Sequence, residues 1–337
     1  MLRVGLIGCG GIGAVHARCW LMLHEEVRLV AIADSNRERA NQFIQNTMTE
    51  IRIYSNYSEM LEKEILDIAD ICVPTFLHAE AAVKAMRWVK NIIVEKPVCL
   101  MVTEAEQMLK AEKEYGSFVQ VAHVVRFTES YSFLKKVVKD GTYGKIVAGY
   151  FSRISPRPMW MAGHDDVNRT GTMALDMHIH DADFIRYLME EEPDDVDSWV
   201  IKDENEVIQH IWSSYRYGKV RLVAEASWDY PIHMPFSQTF RVKLENAAIV
   251  LGRDGDLTVY PNDGNPFVPV LEEKKEVDLG INISDIAPYF KEIQYFVHRI
   301  QSGKKNGIIT LADAVKSLEL VNEEMRKGEK GYENNKR

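Results

Sequence analysis

Along the first third of the chain the apolar residues fall in short runs that are hydrophobic at nearly every position. These runs are RVGLIG (3–8), VRLVAIAD (27–34), IRIY (51–54), IADICVP (68–74), NIIVE (91–95) and FVQVAH (118–123). Between them lie amphipathic stretches of helical period, such as 77–89 and 103–115. A strand that is apolar on both faces must be covered on both faces, and helical crossovers supply that cover when the strands run parallel. The pattern over 1–123 therefore predicts a doubly wound α/β domain with a parallel sheet.

Beyond residue 123 the rhythm changes. A helical stretch at 130–141 leads to a strand at 145–155, a loop rich in Pro, Trp, His and Asp at 156–170, and a helix over 173–189. Period-two runs with glycine-containing turns follow, which predict a large, mainly antiparallel sheet with helices on one face. Helices at 285–302 and 310–327 come last, the second opened by Thr310 as N-cap with Asp313 at N3. The tail GEKGYENNKR is expected to fray. Residues 124–337 thus read as a single α+β domain for substrate binding and oligomerisation. Ile146, Val220, Leu222 and Val242 are expected on its outer sheet face, where a second copy would cover them in a homodimer or homotetramer.

Composition narrows the partners. A chain of 337 residues exceeds the usual single core, in line with two domains. The formal charge of −9, with no block of Lys and Arg, argues against nucleic acid or an anionic membrane surface and favours a small molecule. Cys9, Cys19, Cys72 and Cys99 lie inside expected strands, turns and helices, as reduced, buried thiols of a cytoplasmic protein would. The apolar part of MLRVGLIGCGG is too short for a signal peptide and runs directly into a glycine turn.

Gly8, Gly10 and Gly13 stand in G-x-G-x-x-G spacing between an expected strand and an expected helix, with Gly11 and Ile12 in the same turn. This arrangement suits a dinucleotide: the glycines allow a tight turn, close approach of a pyrophosphate and close helix packing. Asp34 ends the second strand, where a carboxylate would bind ribose hydroxyls and repel a 2′-phosphate. That favours NAD, and the nearby Arg37 leaves NADP open.

The fifth strand ends in Glu95-Lys96-Pro97, two charges and a proline at the carboxyl edge of a buried sheet. Ligands of doubly wound sheets sit at that edge, so Lys96 is a candidate for the reacting centre. In ALDMHIHDAD, His178 and His180 are two apart and cannot share one ion from a helix, so no metal site is expected. Asp176 and His180 are four apart on one face, with Asp183 expected to continue it, opposite an apolar face of Met177, Phe184, Ile185 and Leu188.

Together the glycine turn, VPTFLH (73–78), EKP (95–97), AHVVRF (122–127) and GTMALDMHIHDAD (171–183) resemble the glucose-fructose oxidoreductase / inositol dehydrogenase family of NAD(P)-dependent enzymes. The resemblance implies a Rossmann domain followed by an open-sheet α/β domain. It also implies an enzyme oxidising a secondary hydroxyl of a sugar, sugar acid or cyclic polyol: Lys96 holds the substrate oxygen, His180 is the base and Asp176 orients. Pro74, Thr75, His78 and Glu95 are the implied additional cofactor contacts, and His123, Arg126 and Trp160 candidate substrate contacts, with His164, Asp165, Asn168 and Arg169 as a polar lining. A structural role for Arg126 and His123 stays open, as do an NAD-dependent redox-neutral glycosidase and a noncatalytic NAD-binding regulator. Gly171-Thr172 departs from the paired glycines of many relatives, so the substrate pocket is expected to differ.

Overall fold

The computed structural model describes residues 1–44, 50–158, 167, 169–271, 285–303 and 307–335. The chain forms two compact units, one from 1–127 with 273–315, the other from 128–272 with 316–337.

The first unit is built on a sheet of six parallel strands in the order β3-β2-β1-β4-β5-β6. These are β1 (Leu2–Ile7), β2 (Val27–Ala33), β3 (Arg52–Tyr54), β4 (Ile68–Ile71), β5 (Asn91–Glu95) and β6 (Phe118–Ala122), each within a few residues of its expected run. All four residues of β4 are buried, which is why that run reads as continuously apolar rather than alternating. Helices α1 (Gly11–Met22), α2 (Arg37–Ile44), α3 (Tyr57–Lys63), α4 (His78–Met86) and α5 (Val102–Tyr115) make the crossovers.

Helix α8 (Ala287–Ser302) also belongs to this unit: Ile293, Phe296 and Val297 enter the core formed by Trp20, Leu29, Ile32 and Ile93. The expected assignment of all residues after 123 to one domain is corrected here. An amphipathic stripe shows that a helix is buried on one side, but not which surface buries it.

The second unit carries a seven-stranded sheet in the order β13-β12-β11-β7-β10-β9-β8. Its strands are β7 (Ile146–Ile154), β8 (Asp195–Lys202), β9 (Ile208–Tyr217), β10 (Val220–Ser227), β11 (Ser237–Leu244), β12 (Ala247–Leu251) and β13 (Leu257–Pro261). Only the β7–β10 pair is parallel. Helices α6 (Glu129–Asp140) and α7 (Ile179–Met189) face it, with Tyr131 edge-on to Phe184 at 4.7 Å and to Phe240 at 5.1 Å.

Leu222 and Val242 are fully buried in this core and Ile146 nearly so, against their expected outer placement. The alternation was read correctly but its phase was not, and a shift of one residue exchanges the faces. On the strands of this sheet, Trp199 at 56% and Tyr260 at 45% exposure, with Ile201 and Val147, are the large apolar residues left accessible. The expected fraying is corrected as well: α9 (Leu311–Asn335) continues into the tail as far as Asn335. Gly328, a weak helix former, is where the helix meets β8; a Cβ there would lie 2.6 Å from Val200 Cγ1. Lys202 pairs with Glu329 at 2.8 Å beyond it.

Candidate active site

β1, β4 and β5 are adjacent and parallel, so the turns that follow them share the carboxyl edge of the sheet, and the strand order reverses between β1 and β4. The first turn carries the glycines. Gly8 has φ +98° and an added Cβ would lie 2.6 Å from Cys72 O, while one on Gly13 would lie 2.1 Å from Gly8 O. Protein packing therefore requires both. At Gly10 a Cβ would meet nothing within 4 Å, so this glycine leaves room for a group outside the protein. Gly10 is the N-cap of α1, whose first turn holds no acidic residue to occupy the positive end of its dipole. These features fit a pyrophosphate, with Gly11 exposed and Ile12 half-buried beside it.

Asp34 is buried at the end of β2, accepting from Cys9 N at 2.7 Å and Asn36 N at 2.7 Å. The arginine that pairs with it is Arg39, at 3.6 Å, which spacing alone did not single out; Arg37 is exposed. After β4, Pro74 is exposed and Thr75 buried. His78 is a clamp rather than an open contact. Its ring nitrogens lie 2.8 Å from Pro97 O and 2.8 Å from Val73 O, and burial pushes its pKa down.

At the tip of β5 the two charges separate. Glu95 is buried, one oxygen 3.0 Å from His16 Nε2 and the other accepting from Lys96 N at 2.9 Å. Glu95 holds Lys96, as expected, by accepting from its backbone N–H. Lys96 is half-buried between buried neighbours, and its bond to Pro97 is cis.

In the second unit, residues Ala174–His178 form a π-helical turn leading into α7. Asp176 and His180 are half-buried, whereas every other residue from Met173 to Ala182 is buried, so the two share the accessible side as expected. A π turn placed there is common at functional sites and was not legible in the sequence. Asp183 does not continue the face; it is buried and accepts from Ser317 Oγ at 2.8 Å. His178 points elsewhere, its Nε2 2.6 Å from Glu324 Oε2 and 3.2 Å from the Tyr215 hydroxyl. Met177, Phe184, Ile185 and Leu188 are all buried.

Arg126 takes the structural alternative. It is buried, and its guanidinium pairs with Asp313 at 2.6 Å, within the first unit. Thr310 caps α9 by accepting from Asp313 N at 3.1 Å, and the N3 carboxylate pairs with Arg126. His123 is buried and Arg169 exposed. Trp160, His164, Asp165 and Asn168 lie outside the described residues. Sequence reasoning missed His16, three residues past Gly13, and Asp70, inside the fourth strand run. It also missed the buried pair of Arg153 Nε and Asp181 Oδ2 at 2.9 Å. His16 and Asp70 are each a single polar residue in an apolar run, a signal that gives burial but no partner.

Residues 2–123 match the family described as an oxidoreductase family with an NAD-binding Rossmann fold, and residues 131–258 match the GFO/IDH/MocA C-terminal domain. The chain belongs to the GFO/IDH/MocA oxidoreductase family. Its first unit is accordingly an NAD-binding fold. It is 30% identical over 205 residues to a myo-inositol 2-dehydrogenase of Thermotoga maritima, an alignment spanning 60% of each chain. It is 26% identical over 330 residues to a scyllo-inositol 2-dehydrogenase (NAD(+)) of Bacillus subtilis, covering 95% of this chain and 92% of that one. Among solved structures, the fold matches a putative myo-inositol dehydrogenase from Sinorhizobium meliloti with a TM-score of 0.81, 23% identity and 98% coverage of both chains. A levoglucosan dehydrogenase in complex with NADH and levoglucosan matches with a TM-score of 0.82 at 20% identity, over 98% of this chain and 97% of that one.

Proposed function

We propose that this protein is an NAD-dependent dehydrogenase that oxidises a secondary hydroxyl of an inositol-like cyclic polyol or a related sugar. The observation that carries the proposal is Lys96, a half-buried lysine between buried Glu95 and Pro97, on the same sheet edge as the glycine turn. The inositol and sugar dehydrogenases among its relatives support the substrate class.

The glycine turn and the N-terminus of α1 hold the pyrophosphate, and Asp34 the adenosine ribose. Bound NAD supplies the hydride acceptor. Lys96 holds the substrate oxygen, the His180 imidazole accepts the hydroxyl proton, and Asp176 orients the alcohol or the imidazole. Taking that proton concentrates electron density on the carbinol carbon; positioned acid–base groups of this kind contribute about 10²- to 10⁴-fold. The protein acts in the cytoplasm, and no helix among the described residues is long and apolar enough to cross a membrane.

The test is absorbance at the NADH band with a panel of inositols and aldoses, for the wild type and Lys96→Ala. The variant should lose about 10²-fold or more in kcat while its Kd for NADH stays within threefold. Equal loss of both would make Lys96 structural, and no net NADH with any substrate would remove the dehydrogenase reading.

A further inference from the structure

Behind the tip of β5 lies a group of buried ionisable side chains with no assigned role. His16, on the second turn of α1, is fully buried; Nδ1 lies 3.0 and 3.1 Å from the two Asp70 oxygens and Nε2 lies 3.0 Å from Glu95 Oε1. Trp20, one turn on, donates to Asp70 Oδ2 at 2.6 Å. A neutral imidazole has one N–H, so with a carboxylate facing each nitrogen, the doubly protonated ring satisfies both contacts without a proton on either carboxyl. Burial alone would push its pKa down; the Asp70 carboxylate outweighs this and holds it well above the ordinary value.

We propose that His16 is a positioning residue for Lys96: clamped between Asp70 and Glu95, it fixes the Glu95 carboxylate so that the second oxygen holds the Lys96 backbone N–H. The inference rests on the dehydrogenase reading for its kinetic consequence, not for its geometry. The links run without a break from α1 to Asp70 on β4, to Glu95 on β5, and through Oε2 to Lys96 N at 2.9 Å. Swinging Glu95 away would leave a buried imidazolium N–H unsatisfied, so the carboxylate has one stable orientation. Packing alone gives no reason for such a set, since buried ion pairs are often replaceable by apolar residues at no loss of stability. What the set secures is the direction of the Lys96 backbone, leaving only its side chain to move.

The groups facing His16 are Asp70 from β4 and Cys72 just after it, Glu95 from β5, Trp20 from its own helix, and Tyr289 and Glu292 from α8. Burial, with the nearby Glu95 charge second, pushes the Glu292 carboxyl well up, so it does not add a third anion. His16, Asp70 and Cys72 also lie close enough to hold a metal, their ligand atoms within 4.8 Å of one another. The hydrogen bonds speak for protons instead: Asp70 already accepts from Trp20 and His16, and burial pushes the Cys72 thiol well up, away from the thiolate a metal needs.

The test combines a spectroscopic and a kinetic arm on the full-length protein. In ¹⁵N-histidine spectra, His16, assigned through His16→Gln, should keep both ring nitrogens protonated at pH 8. Hydrogen exchange of the Lys96 amide should speed up about tenfold or more in His16→Gln and in Glu95→Ala, since each loosens the same hydrogen bond. With myo-inositol, His16→Gln should lose about 10²-fold in kcat while KM and the Kd for NADH stay within threefold. Glu95→Gln, which keeps an acceptor for the Lys96 N–H, should lose less than Glu95→Ala. A neutral His16 tautomer, stoichiometric zinc on elemental analysis, or unchanged Lys96 exchange would overturn the proposal, as would losses confined to melting temperature and NADH affinity. If wild-type turnover is absent with every inositol and aldose of the panel while the ¹⁵N and exchange results hold, the dehydrogenase reading has failed and the clamp stands.

Discussion

Glu292 is fully buried on α8, and both of its carboxyl oxygens lack a hydrogen-bond partner among the described residues. An ionised carboxylate there would be expensive, and its raised pKa, from burial first and the Glu95 charge second, keeps it protonated. The folded state binds this proton more tightly than the unfolded chain does. Its stabilising effect is therefore complete below the ordinary carboxyl value of 4.5 and is lost as pH rises towards the folded pKa. His16, also raised, adds a loss of the same sign above 6.5. Stability from urea unfolding should fall with rising pH in the wild type, by at most about 1.4 kcal/mol per pH unit from each group, and fall less steeply in Glu292→Gln. Identical slopes in the two proteins would show that Glu292 is ionised when folded. Nothing in the sequence distinguishes Glu292 from a solvated helix residue, because its surroundings come from β4, β5 and α1. Lys96, Asp176 and His180, by contrast, were legible as residues because each belongs to a local pattern.

The glycine turn joins β1 to α1, and its three glycines do different work. Gly8 and Gly13 are required by backbone and helix packing, Gly10 only by what approaches from outside. Gly10→Ala should therefore melt within about 2 °C of the wild type, because a Cβ there leaves packing untouched, yet bind NADH at least tenfold more weakly. Gly13→Ala should lose both binding and stability. Calorimetry and fluorescence titration separate these outcomes, and a Gly10→Ala variant with unaltered NADH affinity would remove the pyrophosphate from this turn. At this scale the sequence served well: strands β1 to β6 matched their expected runs because parallel, doubly covered strands have an unmistakable composition. It served less well where a long-range contact outweighs local propensity, as in α9, which passes Gly328 because the lost side chain makes space for Val200.

For the whole molecule, the outer face of the second unit's sheet carries Trp199 and Ile201 on β8, while Tyr150, Ser152 and His210 converge on Glu225 nearer the middle. The hydrogen bond from His210, ahead of the opposing burial, holds the Glu225 carboxyl down at about 2. A face both aromatic and polar suits a second copy of the chain. Sedimentation at micromolar concentration should give a dimer or tetramer, and Trp199→Asp with Ile201→Asp should shift it towards monomer. A wild-type monomer would dismiss that association. The sequence by itself determined the class of each half, the nucleotide turn and the candidates for chemistry, because local period and spacing encode elements and their faces. The tertiary structure alone decided that α8 returns to the first unit, which side of the second sheet is core, that Arg126 and His78 are spent on support, and that His16 stands behind Lys96. These depend on contacts between residues tens to hundreds of positions apart, which no local pattern records.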